Sequence, residues 1–316
     1  MQDHRTLTSR YLWLASTILL FSALLFFLGG PDYESPRSLN AFWDLGHIGY
    51  FGLFTLLITC WRFISRQPPL MRWGIVLATT LVLGISIEVL QYGTQRDADP
   101  WDVVRDVSGS FLVLAFSRAY TSQLASRWRN LLKAVAVVSL LGLLTPFTIS
   151  LSDETIARQQ FPVLSDFETP FETGRWTGDA RIDTTTLPMV SRNKLLQISL
   201  TTQQYSGTAL KYFPTDWRNY QYLKMRFYQP QPTPLKIVCR IHDLQHTYGK
   251  QELEDRFNQA FTLNQGWNEI DIDLKQVASA PKGRRMDMSQ INGLGIFTIY
   301  LPQPQFLYLD KVYLSN

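Results

Sequence analysis

Hydrophobic positions follow two regimes that meet near Ser150. Up to that point they form long runs, Tyr11 to Leu28, Ala41 to Ile64, Met71 to Tyr92, Trp101 to Tyr120 and Leu131 to Ser150. A bilayer core is crossed by about 20 mostly apolar residues, so these runs predict five membrane helices. The first is uncharged, follows Arg5 and Arg10, and has no clear small-x-small cleavage site; it reads as a retained helix and not a signal peptide. Beyond Ser150 the period becomes two. Leu196, Ile198 and Leu200 alternate with polar neighbours, as do Leu223, Met225 and Phe227, and Ile270, Ile272 and Leu274. Further strands are expected at Leu235 to His242, Gly293 to Tyr300 and Phe306 to Leu314, with turns at Gly207, Pro230 to Pro234, Asn264 to Gly266 and Pro302 to Pro304. The expected fold is therefore multi-domain: an α-helical transmembrane bundle over 1–150, a partly helical tether over 151–162, and an all-β sandwich or jelly roll over 163–316.

Charge adds orientation. Acidic residues number 9 before Ser150 and 17 after it, basic residues 12 and 18, and neither half has the basic excess of a nucleic-acid binder. With the N-terminus inside, nine Lys and Arg fall in cytoplasmic loops and three, Arg37, Arg96 and Arg105, fall outside. That bias predicts a multi-pass protein of the inner cell membrane with its C-terminal domain extracytoplasmic. The two cysteines, Cys60 and Cys239, are too few for a disulfide framework or a thiolate metal cluster.

Polar residues inside the apolar runs are rare and costly, and here they gather at one side of the membrane. Asp44 and His47 open the second run, Glu88 and Gln91 close the third, and Asp102, Arg105 and Asp106 open the fourth. Gly84, Glu88 and Gln91 share one helix face, as do Asp102, Asp106 and Gly109, so three faces can converge on a pocket. Asp99 followed by Pro100 and Trp101 has the form of an N-cap. The remainder, Asp44, His47, Glu88, Gln91, Arg96, Asp102, Arg105 and Asp106, fits either a substrate pocket or a structural ion network.

The segment Ile87-Glu88-Val89-Leu90-Gln91, with Arg96, Asp99, Asp102, Asp106 and Gly109 after it, resembles the signature of the VanZ-like membrane family. The likeness covers about residues 40–120 and includes Asp44, His47 and an aromatic at Tyr50 or Phe51. Asp106 stands where that family usually has Asn. The resemblance implies a cell-envelope compartment and an association with glycopeptide antibiotic resistance, but no defined reaction. In the outer half, Asp166-Phe167-Glu168, Gly266-Trp267-Asn268 and Leu307-Tyr308-Leu309-Asp310-Lys311-Val312 resemble the galactose-binding-like sandwich of many carbohydrate-binding modules. That likeness implies a structural calcium at Glu168 and Asp310, and no required cofactor.

In the strand Leu235 to His242, alternation sends Cys239 to the core and Arg240 and His242 to the opposite face. Arg240, His242, Asp243, His246, Tyr248, Arg256 and Phe257 together offer planar polar groups and aromatics for a sugar; a solvated strand face is the alternative. Trp176, Trp217 and Tyr220 are weaker candidates. The expected function is an envelope protein engaging a membrane lipid or lipid-linked glycan through its bundle, and an envelope polysaccharide or protein through its sandwich. Two other classes remain open. One is a membrane enzyme using Glu88, Asp102 or Asp106 as acid or base, with Arg96 and Arg105 on a phosphate. The other is a non-catalytic assembly partner.

Overall fold

The computed structural model describes residues 13–92, 99–183 and 194–316. The chain divides into two compact units, Met1–Ser150 and Leu151–Asn316.

The first unit is helical. Its main helices are α1 (Trp13–Phe26), α2 (Arg37–Thr59), α3 (Pro69–Tyr92), α4 (Pro100–Phe116) and α5 (Ser126–Gln160), the last continuing into the second unit. Among the described residues, three of them, α2, α3 and α5, are long and apolar enough to cross a membrane, against the five expected from the runs. The described part of α1 is too short. At 17 residues, α4 is both short and interrupted by Asp102, Arg105 and Asp106 in its first two turns. The second expected span also begins earlier, at Arg37, and ends at Thr59.

Small side chains let α4 nest between α2 and α3. Gly109 lies so close to the Ile48 carbonyl that a Cβ would collide with backbone, and the Ser110 hydroxyl lies 2.8 Å from that of Thr80. His47 meets Asp106 and Gly52 meets Val113, so α4 runs parallel to α2. Thr80 meets Ser110 and Trp73 meets Phe111, and α4 therefore runs antiparallel to α3. In turn α5 is antiparallel to α4 and α2, with Lys133 over Phe116, Ser139 by Ser108, and Phe147 by Phe42.

The second unit is a two-sheet β-sandwich. One sheet has the order β3 (Ala180–Asp183), β4 (Leu195–Leu200), β11 (Gln305–Ser315), β6 (Tyr222–Gln229) and β9 (Gly266–Asp273), with β1 (Val163–Ser165) also on β11. The other has the order β2 (Trp176–Gly178), β5 (Tyr205–Leu210), β10 (Ile291–Ile299), β7 (Leu235–Asp243) and β8 (Phe257–Leu263). The strand pairs are antiparallel. Alternation builds the core, since Leu196, Ile198, Leu223, Met225, Phe227, Ile237, Cys239, Ile241, Leu294, Ile296, Leu307 and Leu309 are all buried in it. Trp217 is fully buried and Trp176 nearly so, which makes both core residues; Tyr220 packs edge-on against Phe161.

The expected, partly helical tether is helix as far as Gln160, continuous with α5. Asp153 on it is buried and holds the fully buried Arg175, which donates to its two carboxylate oxygens at 3.0 and 2.7 Å and to the Leu164 carbonyl at 3.0 Å. Glu172 is a second buried staple. Its carboxylate accepts from the Ser165 hydroxyl at 2.7 Å and from the backbone N–H of Phe167 at 2.9 Å. Burial alone would raise its pKa, but these donors and Arg175 bring it below the ordinary value.

Candidate functional site

The outward face of the five-stranded sheet carries a trough of about 380 Å³. Register decides its lining. Gly295 lies opposite Arg240 on one side and Ala209 on the other, Gly293 opposite His242, and Phe297 opposite Val238 and Gly207. The three glycines remove the side chains that would otherwise fill the middle of the face. A Cβ at Gly293 would strike the His242 ring, one at Gly295 would sit 3.3 Å from the Arg240 Nε, and one at Gly207 would strike the Ile296 backbone. Arg240 and His242 can therefore lie down across β10.

Tyr205 and Phe297 form the opposite wall, edge to face with ring centroids 5.8 Å apart. The Arg240 guanidinium stands 6.0 Å from the Phe297 ring, at the limit of a cation–π contact. Arg256, just before β8, and Thr177 on β2 complete the lining. The Nε atoms of Arg240 and Arg256 and the Nδ1 of His242 are buried without a hydrogen-bond partner. Burial, and then the nearby Arg240, push the His242 pKa down to about 4, so its imidazole is neutral at pH 7. Cys239, on the inner face of the same strand, is pushed up to about 12 by burial and is an inert core thiol.

The residues expected to bind sugar thus separate. Arg240, His242 and Arg256 share the outward face. Phe257 pairs with Ile241 in register and is 6% exposed within the core, so its aromatic ring is packing and not a platform. Asp243 is buried and committed, accepting from both terminal nitrogens of Arg284 at 2.6 and 2.9 Å, from the Asp287 N–H at 2.8 Å and from the His246 N–H at 3.0 Å. His246 is buried beside it, with its ring Nδ1 3.3 Å from Asp255. Tyr248 is exposed at the end of the short helix α6 (Leu244–Tyr248). Gly207, expected at a turn, lies inside β5 opposite Phe297, and Tyr205, Phe297, Gly293 and Gly295 were missed as site residues. Their signal was the small-x-small-x-aromatic run Gly293-Leu294-Gly295-Ile296-Phe297, whose outward positions are too small to read as a strand face.

Asp310 accepts from Arg226 at 3.4 Å, and Glu168 is exposed with its backbone carbonyl receiving Lys194. Among the described residues no group of three His, Cys, Asp or Glu is placed to hold a metal ion.

In the helical unit, the structure brings the expected polar residues to one end of α2, α3 and α4. His47 has its Nδ1 2.8 Å from Asp106 and its Nε2 3.3 Å from Asp102. Arg105 joins Asp44 at 3.3 Å, Asp99 at 3.1 Å and Asp102. Glu88 accepts from the Asp99 N–H at 2.8 Å, and Gln91 donates to the Phe26 carbonyl at 2.7 Å. Asp99 caps α4 by accepting from the Trp101 N–H, as its sequence context suggests. Beside the cluster is a cavity of about 720 Å³ lined by Asp32, Asp44, His47, Asp99 and Asp102 with the aromatics Tyr33, Trp43 and Tyr50. No Lys or Arg lines it among the described residues. Arg105 is engaged by three carboxylates, while Arg96 lies outside the described residues. With a carboxylate on each ring nitrogen, His47 can pass a proton between Asp106 and the cavity-lining Asp102.

No family model matches the chain, and no curated protein matches it. Among solved structures, a family 11 carbohydrate-binding module from Clostridium thermocellum, in complex with a beta-1,3-1,4-mixed-linked tetrasaccharide, is similar at 14% identity. It covers 49% of this chain and 94% of that one, with a TM-score of 0.36. A family 28 module specific for non-crystalline cellulose aligns at 11% identity over 49% and 93%, with a TM-score of 0.36. An exo-beta-agarase aligns at 15% over 48% of this chain and 24% of its own length, with a TM-score of 0.39. At such scores none of these matches decides fold or ligand; the strand order of the second unit itself makes it a two-sheet β-sandwich, joined to a helical unit with three helices able to span a membrane.

Proposed function

We propose that this chain is a membrane-held saccharide-binding protein of the cell envelope, taking a sugar chain into the glycine-floored trough between Tyr205, Phe297, Arg240 and Arg256. The trough carries the reading. It is concave, its wall offers aromatic faces for the C–H side of a pyranose, and its floor lets a ring approach the sheet backbone. The guanidinium groups of Arg240 and Arg256, which line the trough without a protein partner at Nε, supply donors for hydroxyl groups.

In the same reading, α2, α3 and α5 hold the protein in the cell membrane with the sandwich outside the cytoplasm. The acid-lined cavity by His47 supports a second role there. Its carboxylates suit a donor-rich or aminated head group, of a lipid or lipid-linked glycan, rather than a bare phosphate. His47 and Asp102 would supply proton transfer if the head group is modified there.

The test is titration of the full-length protein in nanodiscs against a panel of envelope oligosaccharides. Saturable binding that falls about tenfold or more in Tyr205→Ala is expected, from the loss of aromatic stacking. Retention of full affinity in Tyr205→Ala and Phe297→Ala would remove the trough from the account. In the same nanodiscs, wild type is expected to gain thermal stability from phosphatidylethanolamine over phosphatidylglycerol, and Asp102→Asn to lose that gain.

A further inference from the structure

The arginines of this protein divide by what they face. Arg105, Arg175, Arg218, Arg226 and Arg284 each have a carboxylate partner. Arg240 and Arg256 have none. Among the described residues neither makes an ion pair or a hydrogen bond, and the Nε of each is buried without a partner. They stand near enough for each to act on the other: burial first, then the Arg256 charge, lowers the pKa of Arg240. Burial likewise lowers that of Arg256, and no carboxylate offsets it.

Two half-buried like charges without a counterion destabilise a fold unless a ligand completes them. The local acids do not serve. Asp243 and Asp255 both face Arg284 and His246, and among the described residues no Asp or Glu lines the trough. The guanidinium groups share that trough with Tyr205 and Phe297, so the missing anion belongs to a molecule that also presents a face for stacking. A planar guanidinium matches a carboxylate or sulfate through paired N–H donors.

We propose that the trough selects an acidic saccharide, with a uronate carboxylate or a sulfate ester seated between Arg240 and Arg256 and its ring against Tyr205 and Phe297. The inference rests on the saccharide reading above and narrows it to a ligand class. His242, two residues along the same strand face from Arg240, is neutral at pH 7 and adds no charge beside the anion. The floor glycines set how deep the acid sits.

The experiment is calorimetric titration of the full-length protein in nanodiscs with oligogalacturonate and oligoglucuronate, each beside its carboxyl-reduced neutral counterpart. Dextran sulfate and inorganic phosphate are further arms. At least one acidic saccharide is expected to bind about tenfold or more tightly than its neutral form, as hydrogen bonds to charged groups require. That preference should shrink as salt rises from 50 to 500 mM and vanish in Arg240→Gln and in Arg256→Gln. A preference for uronates over dextran sulfate assigns the carboxylate, and the reverse assigns the sulfate. Equal binding of acidic and neutral forms overturns this inference while leaving the saccharide reading intact. Absence of binding by every saccharide overturns both, and phosphate binding alone shows an anion site that is not a sugar site. The salt series on wild type needs no variant, so a misfolded Arg→Gln protein does not remove the test.

Discussion

At the residue scale, His242 shows how the strand face beside the trough is packed. Its ring is pressed between the floor at Gly293 and the His246 ring, 5.1 Å away, with Arg240 beside it. A histidine whose folded pKa is about 4 instead of 6.5 stays neutral in the native state while the unfolded chain takes up a proton. Stability is therefore unaffected above pH 6.5 and falls as pH drops from 6.5 toward 4. By pH 5 the loss from this residue is about 2 kcal/mol. Urea denaturation of wild type and His242→Gln at pH 7.5 and pH 5 checks it: the wild type should lose more between the two, and equal losses would show the ring to be solvated. Saccharide binding should persist across the same interval, because the residue keeps its charge state.

At the scale of the strand, β10 positions the site by what it lacks. Gly295→Val is expected to place a branched side chain under Arg240, lift the guanidinium off the sheet and weaken acidic-saccharide binding by about tenfold or more. Arg240 has a flexible stem that can move, so the thermal midpoint should stay near wild type. Gly207→Ala meets the Ile296 carbonyl and Phe297 backbone, which cannot yield, and should lower the midpoint clearly. Midpoints by differential scanning fluorimetry, alongside titration, separate the two; a matched loss of stability in both would deny β10 this division of labour.

Elements of this kind mark where sequence legibility ends. Period-two alternation revealed the longer strands β4, β6, β7 and β9, because one face of each meets the core and the other is more polar. The short strands β1, β2 and β3 have three or four residues and no room for a period. Phe257 read as a binding aromatic because only register with Ile241 shows which face it takes. In the helices, spacing put Glu88 with Gln91 and Asp102 with Asp106, and the end-on cluster could be read from that. The pairing of Arg105 with three carboxylates could not, since Asp44 lies on another helix.

For the whole molecule, the issue is how many helices pass through the bilayer. Among the described residues three are long and apolar enough, and α4 extends about 25 Å against a hydrocarbon core of about 30 Å. Its packing argues for a fourth passage, since it runs alongside α2 from the same end and α5 returns antiparallel to both. The two counts predict different sides. With α4 crossing, Cys60 at the end of α2 and the sandwich lie on opposite membrane faces; with three crossings they share one. Cys60 is exposed and Cys239 buried, so thiol labelling reports one site. We expect an impermeant maleimide to spare Cys60 in intact cells, while an added protease reaches the sandwich; labelling from the protease-accessible side would return the count to three.

The Asp153–Arg175 pair bears on where the sandwich begins as an independently foldable piece. Arg175 reaches out of the β-layers to a carboxylate on the helix that precedes them, and both are sealed from water. A soluble fragment starting at Pro162 would keep the guanidinium and discard its counterion, leaving a naked charge in the core at a cost of about 3–5 kcal/mol. Stability of the sandwich thus depends on a turn of helix that an alternating pattern assigns to the linker, and an excised domain that retains its own fold starts no later than Leu151.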